Sequence, residues 1–242
     1  MAMAGQRALR RADQILDVVA RAPVPLTLSE IAAAVDAPVS STQDLVQELR
    51  ACGYLVAEDR RYRLGLRPQV LGLLAGAFTA PAGLHHGELE RLSQTARAPL
   101  ALAVLVGRQV LYLDHAGPRA PQRIQRVTDE HAPRPALRTA AGRLLLAFAA
   151  DRDREELLRA EPNVELVQAF HAELPTIRAQ RIARSDGLAD PDIRAIAVPV
   201  FDRATVAAAI IVAARRYRAG QHSPALDAAA KRLVAALGER SS

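Results

Sequence analysis

The sequence predicts a two-domain α+β protein, with a small winged helix-turn-helix at its N-terminus and a larger antiparallel-sheet domain behind it. Its 242 residues exceed the roughly 100–200 residues of one domain. Three helix patterns and a short hairpin pattern fill the first part of the chain, whereas two hairpin patterns enclose several helices in the rest. We therefore expect a winged domain over 1–66, a linker helix over 67–80 and a second domain over 81–242.

The composition narrows the class of protein. Half of the residues are hydrophobic, which supports packed cores. The sequence has neither an apolar run of about 20 residues nor an N-terminal apolar signal, so we expect a cytoplasmic protein with no membrane partner. Its single cysteine, Cys52, excludes an intramolecular disulfide and a multi-thiolate metal site. The net charge is +6, but charges nearly balance in the first 67 residues, so charge alone does not locate a nucleic-acid site.

Helix signals follow one another along the first domain. Residues 7–21 place apolar side chains at three- and four-residue spacings, which predicts an amphipathic helix. Thr27 and Glu30 have the spacing of a capping box, in which the threonine hydroxyl and the glutamate satisfy free amides at a helix start. This second helix is short because Pro38 follows it.

The third helix and the hairpin complete the winged motif. Residues 40–43 repeat the capping-box pattern, and Gly53 is a natural residue to follow the last turn. Residues 54–64 then form two short strands around a charged tip, the wing. The inward face of the third helix is predicted to be Leu45, Val46, Leu49 and Cys52, which makes the cysteine a buried structural thiol rather than a nucleophile.

The outward face of the third helix suits DNA. Hydroxyls and amides there can bind base edges in a major groove, and arginines at the helix end and on the wing can bind phosphates. The predicted DNA-binding residues are Ser40, Ser41, Thr42, Gln43, Gln47, Arg50, Arg61 and Arg63. The alternative is a solvated polar face on a winged domain that mediates protein contacts.

The second domain begins with a helix near 85–97. Residues 101–114 and 193–214 each read as a β-hairpin, and a short strand is predicted at 124–127. Further helices are predicted from residue 140, near 153–160, near 171–183 and from Pro224 to near Gly238.

The sequence gives no sign of catalysis, a metal or a cofactor. His85 and His86 near Glu88 and Glu90 form the one histidine cluster, but adjacent histidines on a helix point in different directions. The chain has neither a Gly-x-Ser-x-Gly elbow nor a phosphate-binding loop. We therefore expect no cofactor, no bound metal and no enzyme activity.

Three stretches resemble one family. TLSEIAAAVDAPVSSTQDLVQELRACGYLVAEDRRYRLG is similar to the DNA-binding domain of the IclR family of bacterial regulators. PALRTAAGRLLLAFAADRDREELL and IRAIAVPVFDRATVAAAIIVAA resemble the family's GAF-like effector-binding domain. The chain departs from the family at Val39, where a basic residue is usual, and at Asp44, where an arginine is usual. Both departures reduce positive charge at the DNA.

The resemblance implies a transcriptional regulator, more often a repressor than an activator. It implies a homodimer or tetramer on double-stranded operator DNA, with subunits paired by the linker helix, and a small-molecule effector in the second domain. One alternative is a degenerate sensor whose winged helix no longer binds DNA. A second and weaker alternative is an enzyme that uses the pocket of the second domain.

The resemblance also implies the effector site. Arg138, Thr139, Ala140 and Ala141 correspond to a helix start that holds the polar end of a ligand, where free amides favour negative charge. The opposite wall corresponds to Ser185, Ala195, Ile211 and Ala213. Ile211 and Ala213 stand where relatives that bind small oxo-acids have serines, so an aromatic or aliphatic carboxylate is the expected effector. The alternative reading of Arg138 and of Arg143 is a plain surface arginine.

Overall fold

The computed structural model describes residues 2–74, 83–118, 121–216 and 223–239. The chain divides into two compact units, Met1–Phe78 and Thr79–Ser242. No described helix is both long enough and apolar enough to cross a membrane. Of the linker helix predicted over 67–80, the structure describes α4 at Arg67–Leu74, and residues 75–80 lie outside the described residues.

The described residues of the first unit form four helices and a small sheet. Its elements are α1 Ala2–Arg21, β1 Leu26–Thr27, α2 Leu28–Ala34, α3 Val39–Ala51, β2 Leu55–Glu58, β3 Arg61–Leu64 and α4 Arg67–Leu74. The antiparallel strands lie in the order β1-β3-β2, so the predicted wing gains a third strand that the sequence did not indicate. At the wing tip, Asp59 and Arg60 have φ of 49° and 61°, as a tight two-residue hairpin turn requires. The core is Ile15, Val19, Ile31, Val46, Leu49 and Leu55.

The two predicted capping boxes have different outcomes. The first is confirmed: the Glu30 amide donates to Thr27 Oγ1 at 3.3 Å, and the Thr27 amide donates to the Glu30 carboxylate at 2.7 Å. The second is wrong, because α3 begins at Val39 with Pro38 as its N-cap. The hydroxyls of Ser41 and Thr42 fall inside the first turn and donate back to the Pro38 carbonyl at 3.1 and 3.0 Å.

The second unit is built on one antiparallel sheet of six strands in the order β6-β5-β4-β9-β8-β7. Its strands are β4 Leu100–Val106, β5 Gln109–Ala116, β6 Arg134–Pro135, β7 Ala183–Asp186, β8 Ile193–Asp202 and β9 Thr205–Arg215. Its helices are α5 His86–Ala96, α6 Gln122–Asp129, α7 Ala140–Phe148, α8 Asp151–Arg159, α9 Val164–Gln180 and α10 Pro224–Glu239, with a 3-10 turn at Ala136–Arg138. Both predicted hairpins are confirmed, with Ala195 paired to Ala213 across the β8–β9 hairpin.

Helices cover both faces of this sheet. On one face α5 and α10 pack over a core that includes Leu102, Ile210 and Leu233. On the other face α6, α7 and α9 pack over a core that includes Leu144 and Ile211. The expected α+β fold is therefore what the chain adopts, as two layers of helices around one antiparallel sheet.

Two segments differ from the sequence prediction. The strand expected at 124–127 is wrong: the segment is α6, and its buried residues Ile124, Val127 and Thr128 have helical spacing. The helix expected over 171–183 begins seven residues earlier, at Val164, where Asn163 caps it by accepting from the Leu166 amide. It ends at Gln180, and β7 follows as an edge strand.

Candidate effector pocket and DNA-binding surface

A polar face of α3 is open to solvent. Ser40, Gln43, Gln47 and Arg50 are exposed and succeed one another at three- and four-residue spacings, so they share one side of the helix. Asp44 is exposed beside them. Amides and a guanidinium on one exposed helix face are donors and acceptors that a base edge or a phosphate can use.

One residue in α3 and one just after it lie where the sequence did not predict. Thr42 is fully buried and its hydroxyl is bound to the Pro38 carbonyl, so the predicted DNA contact by Thr42 is wrong. It lies on the inner side with Val46 and Leu49, four and seven residues further on. Cys52 is exposed, so its predicted burial is also wrong, because the helix has already ended at Ala51.

The wing arginines make contacts within their own domain. Arg61 Nη1 donates to the Pro25 carbonyl at 2.9 Å and lies 3.5 Å from the Glu30 carboxylate. Arg63 Nη2 donates to Glu58 at 2.6 Å. The Arg61 bonds brace the wing against the start of α2, whereas the Arg63 bond links the two wing strands. A phosphate contact by either arginine would compete with these bonds.

A small cavity lies in the second unit, on the α6–α7 face of the sheet. Its volume is about 20 Å³, which is room for about one water molecule. Parts of α6, α7 and strands β5 to β8 surround it. The lining residues are Tyr112, Ile124, Val127, Arg134, Thr139, Ala140, Ser185, Ala189, Asp190, Ile193 and Ala195.

Half of the expected effector residues line this cavity, namely Thr139, Ala140, Ser185 and Ala195. Ala141, Ile211 and Ala213 are buried in the core of the same face. The side chain of Arg138 is exposed and does not line the cavity, contrary to its expected role beside a ligand's charge. Only the Arg138 carbonyl is engaged there, accepting from Ser185 Oγ at 3.0 Å.

Thr139 sets the start of α7. Its hydroxyl accepts from the Gly142 amide at 3.0 Å and donates to the Ala136 carbonyl at 3.3 Å. A Cβ on Gly142 would lie 2.1 Å from the same carbonyl, so only glycine fits against the 3-10 turn. The amides of Ala140 and Ala141 have no acceptor within the helix, which makes this cavity wall favourable for negative charge.

A charged cluster at the cavity was missed by the sequence reading. Asp190 accepts from Arg134 Nη2 at 2.6 Å and from Arg123 Nε at 2.9 Å. Its side chain is 8% exposed, against 19% for Arg134 and 54% for Arg123. Because two arginines share one carboxylate, the cluster carries an excess positive charge. These residues come from α6, β6 and the β7–β8 loop, and no spacing in the chain links them.

Tyr112 places a phenol at the same cavity. Burial raises the pKa of Tyr112 to about 12. The phenol therefore keeps its proton at neutral pH and can donate a hydrogen bond to an anion.

Arg143 is a buried anchor, so its reading as a surface arginine is wrong. Its side chain is 1% exposed. Nη2 donates to Glu173 of α9 at 2.6 Å, Nη1 donates to the Leu137 carbonyl at 3.3 Å, and the guanidinium lies 5.6 Å from the centre of the Phe170 ring. Arg143 thereby ties the start of α7 to α9, away from the cavity itself.

Both units match known sequence families. Residues 8–59 match the IclR helix-turn-helix domain, and residues 83–238 match the C-terminal domain of the bacterial transcriptional regulator IclR. A protein from Cupriavidus necator described as "Probable transcriptional regulator SauR" is 28% identical over 212 residues, covering 84% of this chain and 83% of SauR. The HTH-type transcriptional regulator BhcR from Paracoccus denitrificans is 30% identical over 216 residues, covering 85% of this chain and 76% of BhcR.

Solved structures share the fold. The crystal structure of an IclR transcriptional regulator from a Silicibacter species has a TM-score of 0.69 at 22% identity, covering 97% of this chain and 94% of that one. An IclR homologue from Microbacterium hydrocarbonoxydans, complexed with 4-hydroxybenzoate, has a TM-score of 0.60 at 23% identity, covering 97% of this chain and 100% of that one.

Proposed function

The chain belongs to the IclR family of bacterial transcriptional regulators, with a DNA-binding helix-turn-helix domain and an effector-binding C-terminal domain, and on that premise we propose how it works. It binds a palindromic operator as a homodimer in the cytoplasm, where chromosomal DNA is found, and a small carboxylate in the second domain controls that binding. Repression, the commoner mode in the family, is the proposed sign of regulation.

The exposed polar face of α3 supports the DNA-reading part of the proposal. Gln43 and Gln47 offer amides for base edges, while Arg50 and the hydroxyl of Ser40 suit phosphates. A homodimer supplies the two recognition helices that a palindrome needs, spaced by about one turn of DNA. The same face carries Asp44 and the exposed Val39, so we expect a moderate affinity.

A gel-shift titration on the intergenic DNA beside the protein's own gene, at two salt concentrations, tests this part. Selective binding should weaken steeply with salt because phosphate contacts release counterions. Gln43→Ala should lower sequence selectivity, whereas the matched change Asp44→Asn should strengthen binding to all sequences by removing a repulsive charge. Binding that is absent, or equal on scrambled DNA, overturns the proposal.

The cavity beside Arg134 supports the choice of a carboxylate effector. Excess positive charge, the free amides at the start of α7 and the protonated phenol of Tyr112 all favour an anion. The apolar walls, formed by Ile124, Val127, Ile193 and Ala195, favour an aromatic or aliphatic body. A relative of the same fold was crystallised with 4-hydroxybenzoate, an aromatic carboxylate of this kind.

Isothermal titration with 4-hydroxybenzoate and with its neutral amide, 4-hydroxybenzamide, tests the effector class. The carboxylate should bind measurably tighter than the amide and should change the midpoint of the gel-shift titration. Equal binding of the two would show that charge does not select the effector. Sedimentation analysis of the same protein tests the homodimer.

A further inference from the structure

The proposed carboxylate site is already filled by a carboxylate of the protein. Asp190 and Arg134 both line the small cavity and are joined by a 2.6 Å hydrogen bond. Arg134 Nη2 also donates to the Ala189 carbonyl at 3.2 Å. A ligand the size of 4-hydroxybenzoate does not fit in about 20 Å³, so the lining groups must move apart before it binds.

We propose that Asp190 is a built-in competitor of the effector: its carboxylate holds Arg134 in the closed pocket, and the effector's carboxylate takes its place. This inference rests on the proposed function, since it assumes an anionic effector in that cavity. In this proposal Arg134 binds the ligand's carboxylate, and the Asp190 carboxylate is displaced from Arg134.

The proposal requires the Asp190 side chain to move while the base of the β7–β8 loop stays in place. Arg216 holds the base of the loop, through the Pro191 carbonyl at 3.0 Å and the Asp186 carboxylate at 2.7 Å. The segment between those points, 187–190, includes the exposed Leu188. The Asp190 carboxylate is held by two arginines, one of which, Arg123, is half exposed and can follow it toward solvent.

The exchange explains how the pocket would select an anion. When a carboxylate replaces Asp190, Arg134 keeps a charged partner, and the freed Asp190 can keep its bond to Arg123. A neutral ligand of the same shape would leave Arg134 partly buried without a counter-charge, which is costly. Opening is therefore coupled to the ligand's charge.

The test compares four forms of the full chain by isothermal titration with 4-hydroxybenzoate and 4-hydroxybenzamide: wild type, Asp190→Asn, Arg134→Gln and the double variant Arg123→Gln/Asp190→Asn. Asp190→Asn should bind the carboxylate about tenfold tighter, because the competitor is gone and more of the protein is competent to bind. Arg134→Gln should bind it about 10- to 100-fold more weakly. Each change should alter the affinity for 4-hydroxybenzamide less than it alters the affinity for 4-hydroxybenzoate.

The double variant is the matched control for charge. It has the same net charge as wild type but lacks the competitor, so it should still bind more tightly than wild type. If only Asp190→Asn gains affinity, added positive charge explains the gain and the competition is refuted. If both variants bind no better than wild type while Arg134→Gln still weakens binding, the effector class stands but the competition fails. If no form binds the carboxylate, the proposed effector class fails with it.

Hydrogen exchange of wild type gives a readout that needs no variant. The Ile193 amide donates to the Asp190 carbonyl at 3.0 Å. Saturating 4-hydroxybenzoate should speed the exchange of this amide, because the loop that accepts its bond is displaced. Slower or unchanged exchange at Ile193 would overturn the displacement of Asp190.

Discussion

The two faces of the six-stranded sheet are built differently, although they share the same strands. Against α5 and α10 the core is aliphatic, and the buried polar side chain on that face, among the described residues, is Ser93, whose hydroxyl donates to the Ala98 carbonyl at 2.8 Å. The opposite side buries Thr128, Thr139, Arg143, Arg154, Ser185 and Asp190. Buried polar groups seldom add stability over apolar ones of equal size. The contrast indicates that the first face supports the fold and the second carries the proposed ligand site.

The largest expected effect comes from the aliphatic face. Leu233 of α10 is fully buried there, so Leu233→Ala should lower the free energy of unfolding by about 2–5 kcal/mol through lost burial and a residual cavity. Urea denaturation measures this loss. The affinity for 4-hydroxybenzoate should be unchanged.

The matched truncation on the pocket face is Leu144→Ala in α7, also at a fully buried leucine. It should destabilise to a similar degree but also weaken ligand binding, since α7 forms a wall of the cavity. Equal effects of the two truncations on ligand affinity would break the proposed division between the faces.

Alkaline pH should destabilise the fold through Tyr112, which is buried on the polar face of the sheet. Because the folded pKa is about 12 and the unfolded value is near 10, the unfolded chain loses this proton first as pH rises. Stability is therefore unaffected below pH 10 and falls between pH 10 and 12, by up to about 2–3 kcal/mol. Denaturation at pH 9, 10.5 and 11.5 measures the fall. Tyr112→Phe should show a shallower slope, and identical slopes would contradict the assignment.

Arg143 should contribute less to stability than its burial suggests. Arg143→Met keeps the packing against Phe170 and leaves Glu173, which is half exposed, in contact with water. The free energy of unfolding should change by about 1 kcal/mol or less. Arg143→Ala is the control for lost volume and should cost more. A large loss with methionine would mean that the ion pair itself stabilises this face.

The smallest effect is expected at the rim of the aliphatic face. His86 is the first residue of α5, and its hydrogen bond to the Asp114 carboxylate raises the pKa of the imidazole. This contribution is complete below the unfolded pKa of about 6.5 and is lost as pH rises through the folded value. Since His86 is 61% exposed, solvent screening limits it to about 0.5 kcal/mol or less. Comparing wild type with His86→Gln by thermal unfolding at pH 5.5 and 8 measures it.

The elements that the sequence predicted have local signals. The Thr27–Glu30 capping box, the glycine after α3 and the polar turns between long apolar strands each lie within a few residues, so periodicity and turn chemistry find them. Where two signals overlap, the sequence predicts the wrong element. Ile124 and Val127 are β-branched residues in a short segment, which favours a strand, but their three-residue spacing is that of a helix.

The site was predictable only in part, for a physical reason. Thr139 and Ala140 start a helix and carry a local signature, so the resemblance could place them. Arg134 and Asp190 meet because β6 and the β7–β8 loop lie at one edge of the cavity, although the residues are far apart in the chain. Thr42 was misplaced for a simpler reason: a start at Val39 turns its side chain inward.

The small volume of the cavity also has a consequence in time. A ligand larger than water waits for the pocket to open, so the observed association rate should level off at the opening rate as ligand concentration increases. A regulator of this kind has a shortest response time that more effector cannot reduce. A pulse of effector shorter than the opening time of the pocket would then cause little binding, whereas a sustained concentration would bind.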